Sequence, residues 1–218
     1  MASRRAVDQL IAKGAVAVDG RRAHVGQSIE ARASIVTVDG KRVHRDARAG
    51  QLTLVLNKPA GVITTMSDER GRSSIAHLLP AGRRLFPVGR LDADTTGVLL
   101  CTTDGALARL LTHPSSGVPK RYEVVARGLW SAQIAHDLKA LDHAPLPDGS
   151  HRFSVVLTEG RNRQVRRMCA QAGLRILSLT RTRFGPVRLG QLKIGCTRAL
   201  EPAEARELRR LLAEPVRK

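Results

Sequence analysis

Aromatic side chains are scarce in this chain: its 218 residues include three Phe, one Trp and one Tyr. A lone aromatic in a strand, such as Tyr122, ordinarily packs in a core. Cysteine is nearly absent too. Cys101, Cys169 and Cys196 are odd in number, far apart and set among apolar neighbours, with no Cys-x-x-Cys pair, which excludes a disulfide framework and a zinc site. The seven His residues show no pair at helical or finger spacing with acidic partners, so nothing calls for a metal and no cofactor is expected. No apolar run approaches the length of a spanning helix, and Met1-Ala2-Ser3-Arg4-Arg5 has none of the apolar stretch of a secretory signal. The expectation is a cytoplasmic protein that does not engage a membrane. Acidic residues are the last shortage: 19 Asp and Glu stand against 37 Lys and Arg, a formal net charge of +18. Such an excess favours polyanions and fast, salt-sensitive association, which makes nucleic acid the expected partner. Thirty of the cations are Arg, whose guanidinium grips phosphate through two parallel bonds, although a GC-rich genome gives the same bias.

What is present divides into a small unit and a larger one. Ser3 is placed to cap a helix over 4–13, with Val7, Leu10 and Ile11 on one face and Gly14 as its left-handed stop. Val16-Ala17-Val18-Asp19-Gly20 and Val36-Thr37-Val38-Asp39-Gly40 read as strands entering tight primed turns, followed by Arg21 and Arg22 or by Lys41 and Arg42. Residues 45–50 are polar and aperiodic, so the boundaries fall at 1–46, a linker at 47–50, and 51–218. In the larger unit, strands are expected over 52–57, 98–101, 120–125, 152–158 and 174–183. Helices are expected over 75–79, over 105–112 capped by Asp104, and from Ser131 to about 141. Two more run over 160–172, with Val165, Met168, Cys169 and Ala172 as the core stripe, and from Pro202 to about 212. Isolated helices between strands joined at hairpin length indicate an α+β fold with a mainly antiparallel sheet.

The larger unit is organised around Gly89-Arg90-Leu91-Asp92-Ala93-Asp94-Thr95-Thr96-Gly97, a loop feeding the apolar run Val98-Leu99-Leu100-Cys101. Asp92 therefore sits at the mouth of a core strand, a place that suits catalysis. From these residues alone an exposed loop carboxylate or a helix cap is the more ordinary reading. Farther on, Arg161, Arg163, Arg166, Arg167, Arg175, Arg181 and Arg183 follow one another with no acidic residue from 161 to 183, the best nucleic-acid footprint in the chain. On the expected helix Arg163, Arg166 and Arg167 share a face opposite the apolar stripe.

Three motifs in order, Asn57-Lys58-Pro59-Ala60-Gly61, the Gly-Arg-Leu-Asp-x-x-Thr-Thr-Gly-x-Leu-Leu segment from Gly89, and Gly160-Arg161-Asn162-Arg163-Gln164-Val165-Arg166-Arg167-Met168, resemble the RsuA/RluB branch of the RNA pseudouridine synthases. The first unit resembles the S4 RNA-binding fold often fused to these enzymes. That module usually starts with a further helix ahead of Ser-Arg-Arg, so here it looks truncated. The resemblance implies a mainly antiparallel mixed sheet with a central cleft, preceded by a small S4-like α/β module. It implies isomerisation of uridine to pseudouridine in ribosomal RNA, 23S for the RluB type or 16S for the RsuA type, free or in a pre-ribosomal particle, by a monomer without metal. It carries Asp92 onto the family's catalytic aspartate, ionised in a dry pocket beside Arg166, and Tyr122 onto the tyrosine that stacks on the target uracil. The target base must leave its stack, and Arg90 is a candidate to fill the gap. Arg161, Arg163, Arg167, Arg181 and Arg183 in the larger unit, with Arg4, Arg5, Arg21 and Arg22 in the smaller, are expected RNA contacts; Lys58 is a weaker one, since Lys58-Pro59-Ala60-Gly61 reads more readily as floor or loop structure than as chemistry. Two competing readings are an S4-type RNA-binding protein without catalysis and a metal-dependent nuclease using Asp92, Asp94 and Asp104, which lacks the His and Glu ligands such a site uses.

Overall fold

A computed structural model describes residues 4–30, 34–43 and 51–213. The Ser3 cap, the linker at 47–50 and the side chains of Arg4 and Arg5 lie outside the described residues. The chain forms two compact units, Met1–Gly50 and Gln51–Lys218.

In the first unit, α1 (Arg4–Ala12) stops ahead of Gly14. Strands β1 (Val16–Val18), β2 (Arg21–Arg22), β3 (Val36–Val38) and β4 (Lys41–Arg42) form an antiparallel sheet in the order β2-β1-β3-β4. Both Asp-Gly pairs have positive φ, 50° and 78° at Asp19 and Gly20 and 48° and 73° at Asp39 and Gly40, as a primed turn between twisted strands requires. Val16, Val18 and Ala23 are buried against Leu10, Ile11, Val36 and Val38, a core of a few side chains.

The second unit is built on one large sheet. In chain order its strands are β5 (Thr53–Lys58), β6 (Phe86–Pro87), β7 (Thr96–Thr102), β8 (Lys120–Arg127), β9 (Leu141–Pro145), β10 (His151–Leu157), β11 (Arg175–Phe184), β12 (Val187–Arg188) and β13 (Thr197–Ala199). They lie in the order β13-β5-β7-β11-β8-β10-β9, with β6 on β7 and β12 on β11. The helices are α2 (Gly105–Thr112), α3 (Ala132–Leu138), α4 (Gln164–Gln171) and α5 (Pro202–Ala213). The pairings between these strands are antiparallel except where β7 meets β11 in parallel through Thr96 opposite Thr180 and Gly97 opposite Arg181. That seam is close: Gly97 has φ 102°, and a Cβ there would lie 2.2 Å from the Arg181 carbonyl oxygen. Thr96 Oγ1 and Thr180 Oγ1 join across it at 2.8 Å.

Each half of the sheet has its own core. The continuous apolar runs of β5 and β7 are buried on both faces, as central strands should be. Val55, Val98 and Leu100 pack with Leu111 of α2 and Leu208 of α5, while Leu54, Leu56, Leu99 and Cys101 pack with Ile75, Leu85 and Leu91. In the other half Val124, Phe153, Val155 and Leu179 pack under Leu138 of α3 and Val165 and Cys169 of α4. Burying each such side chain is worth about 1.5–3 kcal/mol.

The expected caps form: Asp104 Oδ1 accepts from the amides of Ala106 and Leu107 at 3.0 and 3.1 Å, and Ser131 Oγ from Ile134 at 3.2 Å. Two helices are shorter than their periodicity suggests. The turn from Lys139 ends α3 in a left-handed conformation, and α4 starts at Gln164 rather than Gly160 because Arg163 has φ 48° and the Gln164 side chain folds back onto Glu159, Nε2 to Oε1 at 2.6 Å. Among the described residues no helix is long and apolar enough to cross a membrane.

Candidate active site

The loop ahead of β7 is anchored on both sides of Asp92. Thr64 Oγ1 donates to the Leu91 carbonyl at 2.7 Å and accepts from the Leu91 amide at 3.2 Å. The Ala93 carbonyl accepts from the Gly61 amide at 2.8 Å and from Lys58 Nζ at 3.2 Å. Leu91 and Thr95 are buried, whereas the Asp92 side chain is 31% exposed. Fixing the backbone at 91 and 93 aims the carboxylate without enclosing it. It opens into a cleft of about 560 Å³, a size suited to one nucleotide, whose lining includes Arg90, Tyr122, Arg163, Arg166 and Arg181.

The cation facing Asp92 is Arg163, with Nη1 at 3.6 Å from Oδ2; its other nitrogen lies 3.3 Å from Asp94 Oδ2. Arg166 instead reaches Asp94, with Nη2 at 3.2 Å from Oδ1, 2.9 Å from the Asp94 carbonyl and 3.4 Å from Thr95 Oγ1. The expected buried pair of Asp92 with Arg166 is therefore corrected on two counts. The left-handed turn at Arg163 throws that side chain across to the aspartate loop, leaving Arg166, one helical turn on, over residues 94 and 95. The pocket around Asp92 is also open rather than dry. Burial pushes the Asp94 carboxyl up, but the hydrogen bond from Arg163 and the charges of Arg166 and Arg163 outweigh it and hold its pKa below the ordinary value.

Tyr122, on β8, lies half-buried between two of the core clusters and lines the cleft; Arg90 is exposed at its edge. Lys58 has the floor-or-loop role rather than that of an RNA contact. It is 0% exposed, and its ammonium donates to the carbonyls of Pro59, Val62 and Ala93 at 2.8, 2.6 and 3.2 Å, so it ties one loop to another and offers nothing to RNA. Burial pushes its pKa down to about 8, with the charges of Asp94 and Asp92 opposing the shift. Arg181 is 3% exposed and lies in the cleft floor. Arg161 is exposed but paired with Glu159 at 3.0 Å, Arg167 is exposed, and Arg183 is exposed with Nε on the Gly185 carbonyl at 2.6 Å. The three arginines 163, 166 and 167 do not share a helical face, because the first precedes α4. In the first unit Arg21 and Arg22 are exposed, and Arg22 donates to the Ala12 carbonyl at 3.4 Å.

Asp104 is spent on its helix cap, away from Asp92 and Asp94, and among the described residues no group of three or more His, Cys, Asp or Glu could hold a metal. Sequence reading missed Lys120 and Phe184, both in the cleft lining. Strand alternation puts Lys120 on the side of Tyr122, which is the signal that could have found it.

A family model described as RNA pseudouridylate synthase matches residues 52–171. An uncharacterised RNA pseudouridine synthase of Mycobacterium bovis is 41% identical over 227 residues, covering 95% of this chain and 88% of that protein. A ribosomal large subunit pseudouridine synthase B of Pseudomonas aeruginosa is 40% identical over 93% of this chain and 57% of its own length. The crystal structure of a pseudouridylate synthase shares the fold, with a TM-score of 0.65 over 94% of each chain at 24% identity.

Proposed function

This chain belongs to the RNA pseudouridylate synthase family, and from that premise we propose that it isomerises a uridine of ribosomal RNA, in the 23S species, with Asp92 as nucleophile. The fold and the enzyme class, an isomerase acting on RNA, follow the motif resemblance. The large-subunit name of the Pseudomonas relative favours 23S over 16S RNA.

The observation that carries the proposal is the position of Asp92, its backbone fixed on both flanks and its carboxylate open to a nucleotide-sized cleft beside a cation. In the reaction the bond from ribose C1′ to uracil N1 breaks, the uracil turns, a C1′–C5 bond forms, and the proton lost from C5 is balanced by one gained at N1. Asp92 attacks C1′ and holds the sugar while the base turns, as a carboxylate does in retaining glycosidases. Arg163 faces its carboxylate; Arg166 fixes the neighbouring Asp94 and Thr95. Tyr122 stacks on the uracil and is placed to take the C5 proton, and Arg90 fills the gap left by the extruded base. The first unit is an S4-like module that adds RNA affinity through its exposed cations. The enzyme acts as a monomer in the cytoplasm, on ribosomal RNA or a pre-ribosomal particle, without a metal.

The test is Asp92→Asn. The amide keeps the shape and removes the nucleophile, so pseudouridine formation falls below detection while the RNA is still bound. Substantial turnover by this variant, read by pseudouridine mapping, sinks the assignment.

A further inference from the structure

The cations that line the cleft fall into two groups of different electrostatic character. In the first, Arg163 and Arg166 are matched to Asp92 and Asp94. Two further cations of the lining, Arg181 and Lys120, form no ion pair among the described residues. Arg181, on β11 opposite Tyr122, is 3% exposed; its Nε donates to the Val98 carbonyl at 2.7 Å, and its Nη2 is buried without a partner. The guanidinium carbon lies 5.3 Å from the centre of the Phe184 ring, and Lys120 Nζ lies 5.7 Å from the same centre. The Lys120 ammonium donates to the Thr158 carbonyl at 3.1 Å. Burial pushes its pKa down, and the charge of Arg181 pushes it further in the same direction.

A buried guanidinium nitrogen without an acceptor is costly, and a second desolvated cation beside it adds repulsion. A neutral acceptor such as a uracil carbonyl would satisfy the nitrogen but leave the repulsion, whereas an anion relieves both. In an RNA enzyme the anion at hand is the phosphodiester, which accepts charge-assisted bonds from Arg and Lys together.

We infer that Arg181 Nη2 and Lys120 Nζ form a phosphate subsite in the cleft floor, taking one backbone phosphodiester beside the extruded uridine. The inference rests on reading the cleft as the uridine-isomerising site. The subsite gives the cleft a polarity: the sugar is presented to Asp92 while its flanking phosphate is held by Arg181 and Lys120, which fixes the direction in which the strand enters.

The experiment is a binding scan of the full chain against a large-subunit rRNA fragment that it binds, with each linkage replaced in turn by a neutral methylphosphonate. For the wild-type chain one linkage next to the target uridine weakens binding roughly tenfold, as loss of a charge-assisted contact should. With Lys120→Gln the salt slope of the unmodified RNA falls by about one, and the same linkage costs little further. Arg181→Gln repeats the pattern, with thermal denaturation as the check on its folding; should it unfold, Lys120→Gln decides alone. Equal penalties at every linkage in wild type and variant, or an unchanged slope, overturn the subsite. Pseudouridine is measured in parallel in the unmodified fragment with the wild-type chain, so failure of the enzymatic reading appears as missing product and failure of the subsite as additive penalties.

Discussion

At the scale of single residues, one of the side chains that hold the Asp92 loop is fully buried. Lys58 links the carbonyls of Pro59, Val62 and Ala93, and the last of these immediately follows the aspartate. Lys58→Met preserves the apolar stem and removes the donors. The Ala93 carbonyl keeps the Gly61 amide, but those of Pro59 and Val62 lose the ammonium. Relief of a buried charge offsets part of that loss, and the net cost is about 1–3 kcal/mol of stability. Turnover falls by a larger factor than stability alone explains, because the carboxylate is no longer aimed. Urea denaturation and single-turnover rates on one preparation check this; a stable variant with a wild-type rate contradicts it. From sequence, the Lys58 stretch reads as floor or loop structure more than as chemistry, without showing which groups the ammonium would tie. Only burial reveals its role, and burial depends on strands that meet it from elsewhere in the chain. The partner of Asp92 was hidden for a related reason: spacing along an assumed helix takes no account of the left-handed turn at Arg163.

At the scale of elements, β5, β7, β8, β10 and β11, and the caps of α2 and α3, were legible because apolar runs, alternation and capping side chains are local signals. Strands β6, β9, β12 and β13 were not. They are two to five residues long, and each is held by the edge it pairs with rather than by its own pattern. The parallel seam between β7 and β11 left one trace, Gly97, whose need for a hydrogen at Cα appears only when Arg181 lies against it. Gly97→Ala must push the two strands apart and also hold alanine at φ 102°, so we expect a loss of at least about 3 kcal/mol, beyond the ~1–3 typical of backbone strain alone. A urea midpoint within error of wild type contradicts this close packing.

At the scale of the molecule, the net charge of +18 sets how RNA is met, and the exposed hairpin cations of the first unit contribute to it. Replacing Arg21 and Arg42 with Gln lowers the slope of log affinity on log salt by about one to two units if both meet phosphate; an unchanged slope removes the first unit's hairpins from the RNA interface. The seam has a further consequence during synthesis. Asp92 is made early, its cation Arg163 seventy-one residues later, and β11, which closes the exposed edge of β7, later still. A chain halted before Arg175 therefore carries Asp92 without the part of the cleft that β11 supplies and presents an apolar strand edge open to pairing with other chains. Incomplete copies are thus prone to aggregate until β11 has paired with β7.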